Sequence, residues 1–155
     1  MCVCRGSNNS LSSLPDDFLS SLTAVRVRVI NLSRNRFTAA SLANLPTVLS
    51  RAYPHLDLSF NHLGPSVPAA VMQSANGGSV SLMSCGITDV AAGSLGSNWE
   101  PIDLSLNDLR HGLHPLSFSR ASNLERIGLC NCNLRSDSLM PGVFDGGPGW
   151  WNLPG

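Results

Sequence analysis

The chain has 155 residues, enough for one domain with an ordinary core or for a short repeat array. Ten arginines balance ten acidic residues, lysine is absent, and charged residues make up only 13% of the chain. That balance argues against non-specific nucleic-acid or anionic-membrane binding, and without lysine there is no P-loop lysine or Schiff-base chemistry.

The N-terminus, Met1-Cys-Val-Cys-Arg-Gly, lacks the apolar core of a signal peptide. No apolar run approaches the roughly 18 residues of a membrane span. Five cysteines stand as two C-x-C pairs, Cys2/Cys4 and Cys130/Cys132, plus Cys85. No histidine lies near enough to complete a familiar zinc spacing, so reduced thiols, no metal and a cytoplasmic location are expected. The sequons at Asn8 and Asn31 then read as chance. A surface or secreted location follows instead if the chain is a fragment lacking its signal.

Five segments then repeat one pattern, L-x-x-L-x-L-x-x-(N/C)-x-L, beginning at 27, 53, 77, 99 and 124. The fourth position reads Ile30, Leu56, Val80, Ile102, Ile127, and the sixth is leucine each time: Leu32, Leu58, Leu82, Leu104, Leu129. The ninth reads Asn35, Asn61, Cys85, Asn107, Cys132, and the eleventh Phe37, Leu63, Ile87, Leu109, Leu134. A degenerate copy over residues 1–26 would place Cys4, Gly6, Asn9 and Leu11 at the same four positions. Positions four and six are alternate residues of one short strand, so both point inward and successive strands can stack into a parallel sheet. The ninth side chain sits where the chain leaves the strand and can satisfy buried backbone groups, forming a ladder of Asn35, Asn61, Cys85, Asn107 and Cys132.

The stretches between motifs carry helical signals. Leu42, Leu45, Val48 and Leu49 make an apolar face behind Thr38, a candidate N-cap. Pro68 can begin a short helix carrying Val71 and Met72. Thr88 is a candidate cap for a helix over Asp89 to Leu95, ended by Gly96.

The pattern resembles the leucine-rich repeats. Met83-Ser-Cys-Gly-Ile-Thr-Asp-Val-Ala-Ala and the segment Leu124 to Leu134 are similar to the ribonuclease-inhibitor type, which also occurs in Ran GTPase-activating and nucleotide-sensing receptor proteins. Leu14-Pro-Asp-Asp-Phe18 resembles the tail of the commoner 24-residue repeat. The resemblance covers residues 1–145 and implies an α/β right-handed solenoid, with a concave parallel sheet and convex helices or helical turns. Residues 146–155 are either a Gly/Pro/Trp tail or a truncated next repeat, in which Trp151 and Leu153 take positions four and six. Neither end carries a capping repeat, which leaves self-association open.

Function in such an array is expected on the concave face, at positions three, five, seven and eight. The candidate partner-binding residues there are Arg34, His55, Asp57, Phe60, Met83, Asp103, Leu106 and Arg126. Serines at position seven, Ser33, Ser59 and Ser105, are expected to fill outward places between them. Asp57 and Asp103 share a column two strands apart, wider than a glycosidase pair. No G-x-S-x-G, H-E-x-x-H or G-x-G-x-x-G occurs. The reading is therefore a cofactor-free, non-enzymatic scaffold that binds another protein through its concave face. The alternatives are a regulatory subunit of the GTPase-regulator or ubiquitin-ligase-adaptor kind, and a fragment of a cell-surface receptor or antigen.

Overall fold

A computed structural model of the chain describes residues 2–15, 17–18, 27–43, 45, 55–73, 78–97, 99–139 and 141–145. Six strands form one parallel sheet in sequence order: β1 (Cys2–Arg5), β2 (Val27–Asn31), β3 (His55–Asp57), β4 (Gly78–Ser81), β5 (Trp99–Asp103) and β6 (Arg126–Gly128). The register follows the repeat. Cys4, Ile30, Leu56, Val80, Ile102 and Ile127 lie side by side across all six strands. The chain is a parallel-strand solenoid, and its first strand lies in the segment where the repeat pattern is weakest.

The core runs the length of the array. Ile30, Leu32, Phe37, Leu56, Leu58, Leu63, Val80, Leu82 and Ile87 are all buried, as are their counterparts Ile102, Leu104 and Leu109. Gly6 stands at the sixth position of the first repeat, where a Cβ would lie 3.2 Å from the Leu32 side chain. Trp99, at the first position of its repeat, is fully buried and donates its indole N–H to the Val71 carbonyl at 3.0 Å. The repeat pattern did not single it out.

The ninth positions form a continuous hydrogen-bonded ladder. Asn61 Nδ2 donates to the carbonyls of Leu58 in its own repeat (2.8 Å) and Leu32 in the one before (3.0 Å), while its Oδ1 accepts from Phe37 N–H (3.0 Å). Asn35 does the same with Leu32, Gly6 and Leu11. Asn107 bonds Leu104 and Leu82 and accepts from both Cys85 and Ile87 N–H. Cysteine lacks the amide oxygen, and the backbone supplies what is missing. Cys85 Sγ donates to the Leu58 carbonyl (3.2 Å), and Leu63 N–H turns to the Cys85 carbonyl (3.0 Å). Cys132 repeats this with Leu104 and Leu109.

The far side of the solenoid is less helical than expected. Among the described residues there are the short helix α1 (Ala69–Met72), two single 3-10 turns, Ala40–Leu42 and Ser136–Ser138, and further helical residues at 17–18 and 45. The helix at Pro68 lies where its residues place it. Thr38 exchanges hydrogen bonds with Ser41 at the first 3-10 turn, Thr38 N–H to Ser41 Oγ and Ser41 N–H to Thr38 Oγ1. Val48 and Leu49 lie outside the described residues. The helix expected over Asp89 to Leu95 is absent. Asp89 and Val90 instead pair in parallel bridges with Ser66 and Leu113, and their N–H groups bond the Pro65 and Gly112 carbonyls. The reason is length. The ninth positions are only 22 to 26 residues apart. A helix advances about 1.5 Å per residue and an extended chain about 3.3 Å, so a short repeat closes its loop more readily with extended chain. Neighbouring loops then touch through backbone: a Cβ on Gly64 would collide with the Gly86 carbonyl, and one on Gly112 with that of Thr88.

Two predictions follow from the ladder. Asn61→Ala leaves buried donors and acceptors unpaired at about 1–3 kcal/mol per group, so its thermal midpoint falls well below that of His62→Ala, an exposed neighbour. Equal midpoints would remove the ladder as a stabilising element. Burial pushes the Cys85 thiol up to about 11 from its ordinary value of 9.0. The folded chain therefore holds that proton more tightly than the unfolded one. Its stabilising effect is complete below about pH 9 and is lost as pH rises through about 11. Cys85→Ala should flatten the fall of the midpoint across this alkaline window, as read by melting curves.

Candidate concave binding surface

The exposed side of the sheet is built by positions three and five. Position three pairs Val29, His55 and Ser79 across β2 to β4 and Pro101 with Arg126 across β5 and β6, the register shifting between β4 and β5 at this point, and position five aligns Asn31, Asp57, Ser81, Asp103 and Gly128. Their side chains border an open trough of about 750 Å³ across β3 to β6, lined by His55, Asp57, Met83, Asp103 and Arg126 over a floor that includes Ser81. Five of the eight expected residues thus share one surface. His55 and Arg126 are exposed at its outer strands, and Asp57, Met83 and Asp103 are half-buried between them.

The carboxylates have a second task. Asp57 Oδ1 accepts from the Ser59 N–H (3.0 Å) and also from the Ser59 hydroxyl. Asp103 Oδ1 accepts from the Ser105 N–H (2.9 Å). Asn31 holds Ser33 in the same way, through both N–H and hydroxyl. The recurring Asp/Asn-Leu-Ser is therefore a turn-forming unit in which a short polar side chain bonds the backbone two residues on. This corrects the expected role of position seven: Ser33, Ser59 and Ser105 are buried against the turn, at 8%, 7% and 6% exposure, and of the three only Ser59 still borders the trough. Asp57 and Asp103 stand two strands apart with Ser81 between them, roughly 10 Å backbone to backbone.

Two residues of this surface escape a motif search. Ser79 Oγ meets His55 Nδ1 across β3 and β4 and orients the ring. Gly128 leaves space for its neighbour, since a Cβ there would collide with the Asp103 carboxylate. The position rule already covers both, Ser79 at three and Gly128 at five, but their contacts show only once the strands are paired.

Arg34, Phe60 and Leu106 lie elsewhere. They stand at position eight, a column in which the backbone is left-handed in every repeat: Asn8, Arg34, Phe60, Ser84, Leu106 and Asn131 have φ between 52° and 60°. The chain must reverse out of the strand here while Arg34 and Phe60 N–H still bond the Ser59 and Met83 carbonyls of the next repeat. Phe60 meets an arginine of the repeat before it. The Arg34 guanidinium lies over its ring, 4.2 Å from the centroid, a cation–π contact. Leu106 is left 44% exposed. These residues form the rim beside the trough.

Among the described residues, no three His, Cys, Asp or Glu side chains gather as a metal site, and no helix is long and apolar enough to cross a membrane. His114 and Asp89 pair at 2.7 Å on the loops behind the sheet, away from the trough. The class defined by these features is a parallel-strand solenoid with a shallow, mixed-charge concave surface. Comparison finds no match to the chain among protein families, curated proteins or solved structures.

An aliphatic side chain with φ of 60° carries backbone strain of about 1–2 kcal/mol that asparagine largely avoids. Leu106→Asn should therefore raise stability by about 0.5–1 kcal/mol in chemical denaturation. A loss would show that the exposed Leu106 side chain makes compensating contacts.

Proposed function

We propose that the chain is a leucine-rich-repeat module that binds another protein through its concave face. One observation carries the reading: five side chains that are distant in sequence, His55, Asp57, Met83, Asp103 and Arg126, border one open trough. Several strands contribute to it, so it is extended and rigid, the kind of surface that solenoids offer to macromolecules. Its shape also weighs against catalysis, because small-molecule sites bury most of their ligand in a deep, largely apolar cavity. Its chemistry is mixed. A thioether and small hydroxyls lie between acidic groups in the middle, with His55 and Arg126 at the sides. A partner segment alternating cationic and apolar side chains complements that order.

The leucine-rich-repeat assignment rests on the eleven-position pattern, the parallel register and the ninth-position ladder taken together. The ribonuclease-inhibitor subtype has weaker support, because the return path carries little helix among the described residues.

The test places a photo-crosslinking side chain at Met83 in the trough, and as a control at Ser119 on the loops behind the sheet. A partner captured from Met83, not captured from Ser119 and lost with His55→Ala plus Arg126→Glu at unchanged circular dichroism, supports the concave face. Equal capture from both positions, or capture indifferent to that double substitution, rejects it.

A further inference from the structure

The two outer strands of the sheet expose complementary halves of one joint. Within the solenoid each repeat is tied to the next by a fixed set of bonds. The sixth-position N–H donates to the fifth-position carbonyl of the next repeat, as Leu32 to Asp57, Leu58 to Ser81, Leu82 to Asp103 and Leu104 to Gly128. The eighth-position N–H donates to the next seventh-position carbonyl, as Arg34 to Ser59 and Leu106 to Cys130. Where the ladder residue is asparagine, its Oδ1 accepts from the eleventh-position N–H of the repeat before, as Asn35 from Leu11 and Asn61 from Phe37.

Among the described residues, β6 has no further strand beside it. The N–H groups of Leu129, Asn131 and Leu134, at positions six, eight and eleven, find no acceptor there. On the other side of the sheet, β1 has no strand before it among the described residues. Arg5 and Ser7 stand at positions five and seven, whose carbonyls in the following repeats, Asn31 and Ser33, accept from the repeat before. Asn9 Nδ2 bonds the Gly6 and Ser7 carbonyls as the other ladder residues bond theirs, but no donor reaches its Oδ1 among the described residues. Apolar contact follows the same plan. Ile127, Leu129 and Leu134 are only half-buried where their counterparts are fully buried, and Leu11 is 38% exposed although Phe37, Leu63, Ile87 and Leu109 are all at 1% or less.

We propose that copies of this chain stack head to tail, β6 of one copy pairing with β1 of the next, so that the ladder continues through the joint. Leu129 and Asn131 N–H would then donate to Arg5 and Ser7 carbonyls of the second copy, and Leu134 N–H to its Asn9 Oδ1. The match has a direction. In the array the ladder side chain also donates back to the preceding sixth-position carbonyl, as Asn61 to Leu32, so each edge carries both donors and acceptors; a two-fold dimer through either edge would pair its strands antiparallel and break the ladder. Such a heterologous joint does not close on two copies and generates an open series. It uses the edges of the sheet and leaves the concave trough free, so it stands independently of the binding reading.

Sedimentation of the 155-residue chain over a range of concentrations tests the joint. The weight-average mass should rise with concentration beyond that of a dimer. Leu11→Lys blocks the β1 edge and Leu134→Lys the β6 edge, and each variant alone should remain monomeric. Their equimolar mixture retains one open edge of each kind and should double in mass and stop. A wild-type chain that stays monomeric, or a mixture that stays monomeric while the wild type associates, overturns the proposal. If Leu134→Lys fails to fold, amide exchange of the wild type decides. Protection at Leu129 and Asn131 that grows with concentration supports the joint. Protection already complete in the monomer shows that the edge is covered within one chain, and overturns it.

Discussion

The structure depends on a single side chain placed where each strand ends. A parallel strand of three to five residues cannot hold itself in place, and the turn that follows buries carbonyls and N–H groups that water no longer reaches. The ninth-position residue meets both needs. Asn35, Asn61 and Asn107 each bond their own turn and the repeat before, so closing one turn and docking one repeat on another are the same event. The cysteines show which part of that arrangement is indispensable. Cys85 and Cys132 keep the donation to the preceding sixth-position carbonyl and pass the acceptor role to their own backbone. What every repeat retains is a donor aimed down the array.

The concave surface follows from this constraint. The left-handed residue at position eight and the Asp/Asn-Leu-Ser unit at positions five to seven both serve to turn the chain towards the ladder. The most conspicuous polar and apolar side chains of the repeat are thus partly engaged in building it. Asp57 and Asp103 face the trough while bonding their own serines, and Phe60 lies under Arg34. The surface open to a partner is defined as much by small neighbours, Ser79, Ser81 and Gly128, as by the charged residues between them.

The repeat itself was legible because it is one-dimensional: leucine at position six and Asn or Cys at position nine recur at a nearly constant step. The face of the strand was legible from its period of two. The convex helices were misjudged at Asp89 to Leu95 because the local spacing of apolar residues there satisfies a helix, while the bonds that decide the matter run to Pro65 and Gly112 in other repeats. The trough was half legible. His55, Asp57, Met83, Asp103 and Arg126 came from position alone, but the same rule also placed Ser33 and Ser105 on the open face, and both are buried against their turns. A position rule knows which way a strand residue points, and it fails where the strand gives way to a turn.

The amino-acid sequence by itself determined the unit, its period and its inward residues, because burial of alternate side chains on a short strand leaves a direct trace in composition and spacing. Tertiary structure alone decided how the chain returns on the far side and that Arg34 covers Phe60. Each of those outcomes depends on groups some 20 to 30 residues apart meeting across a repeat boundary. Contacts of that kind are set by register, and register exists only once the strands have paired.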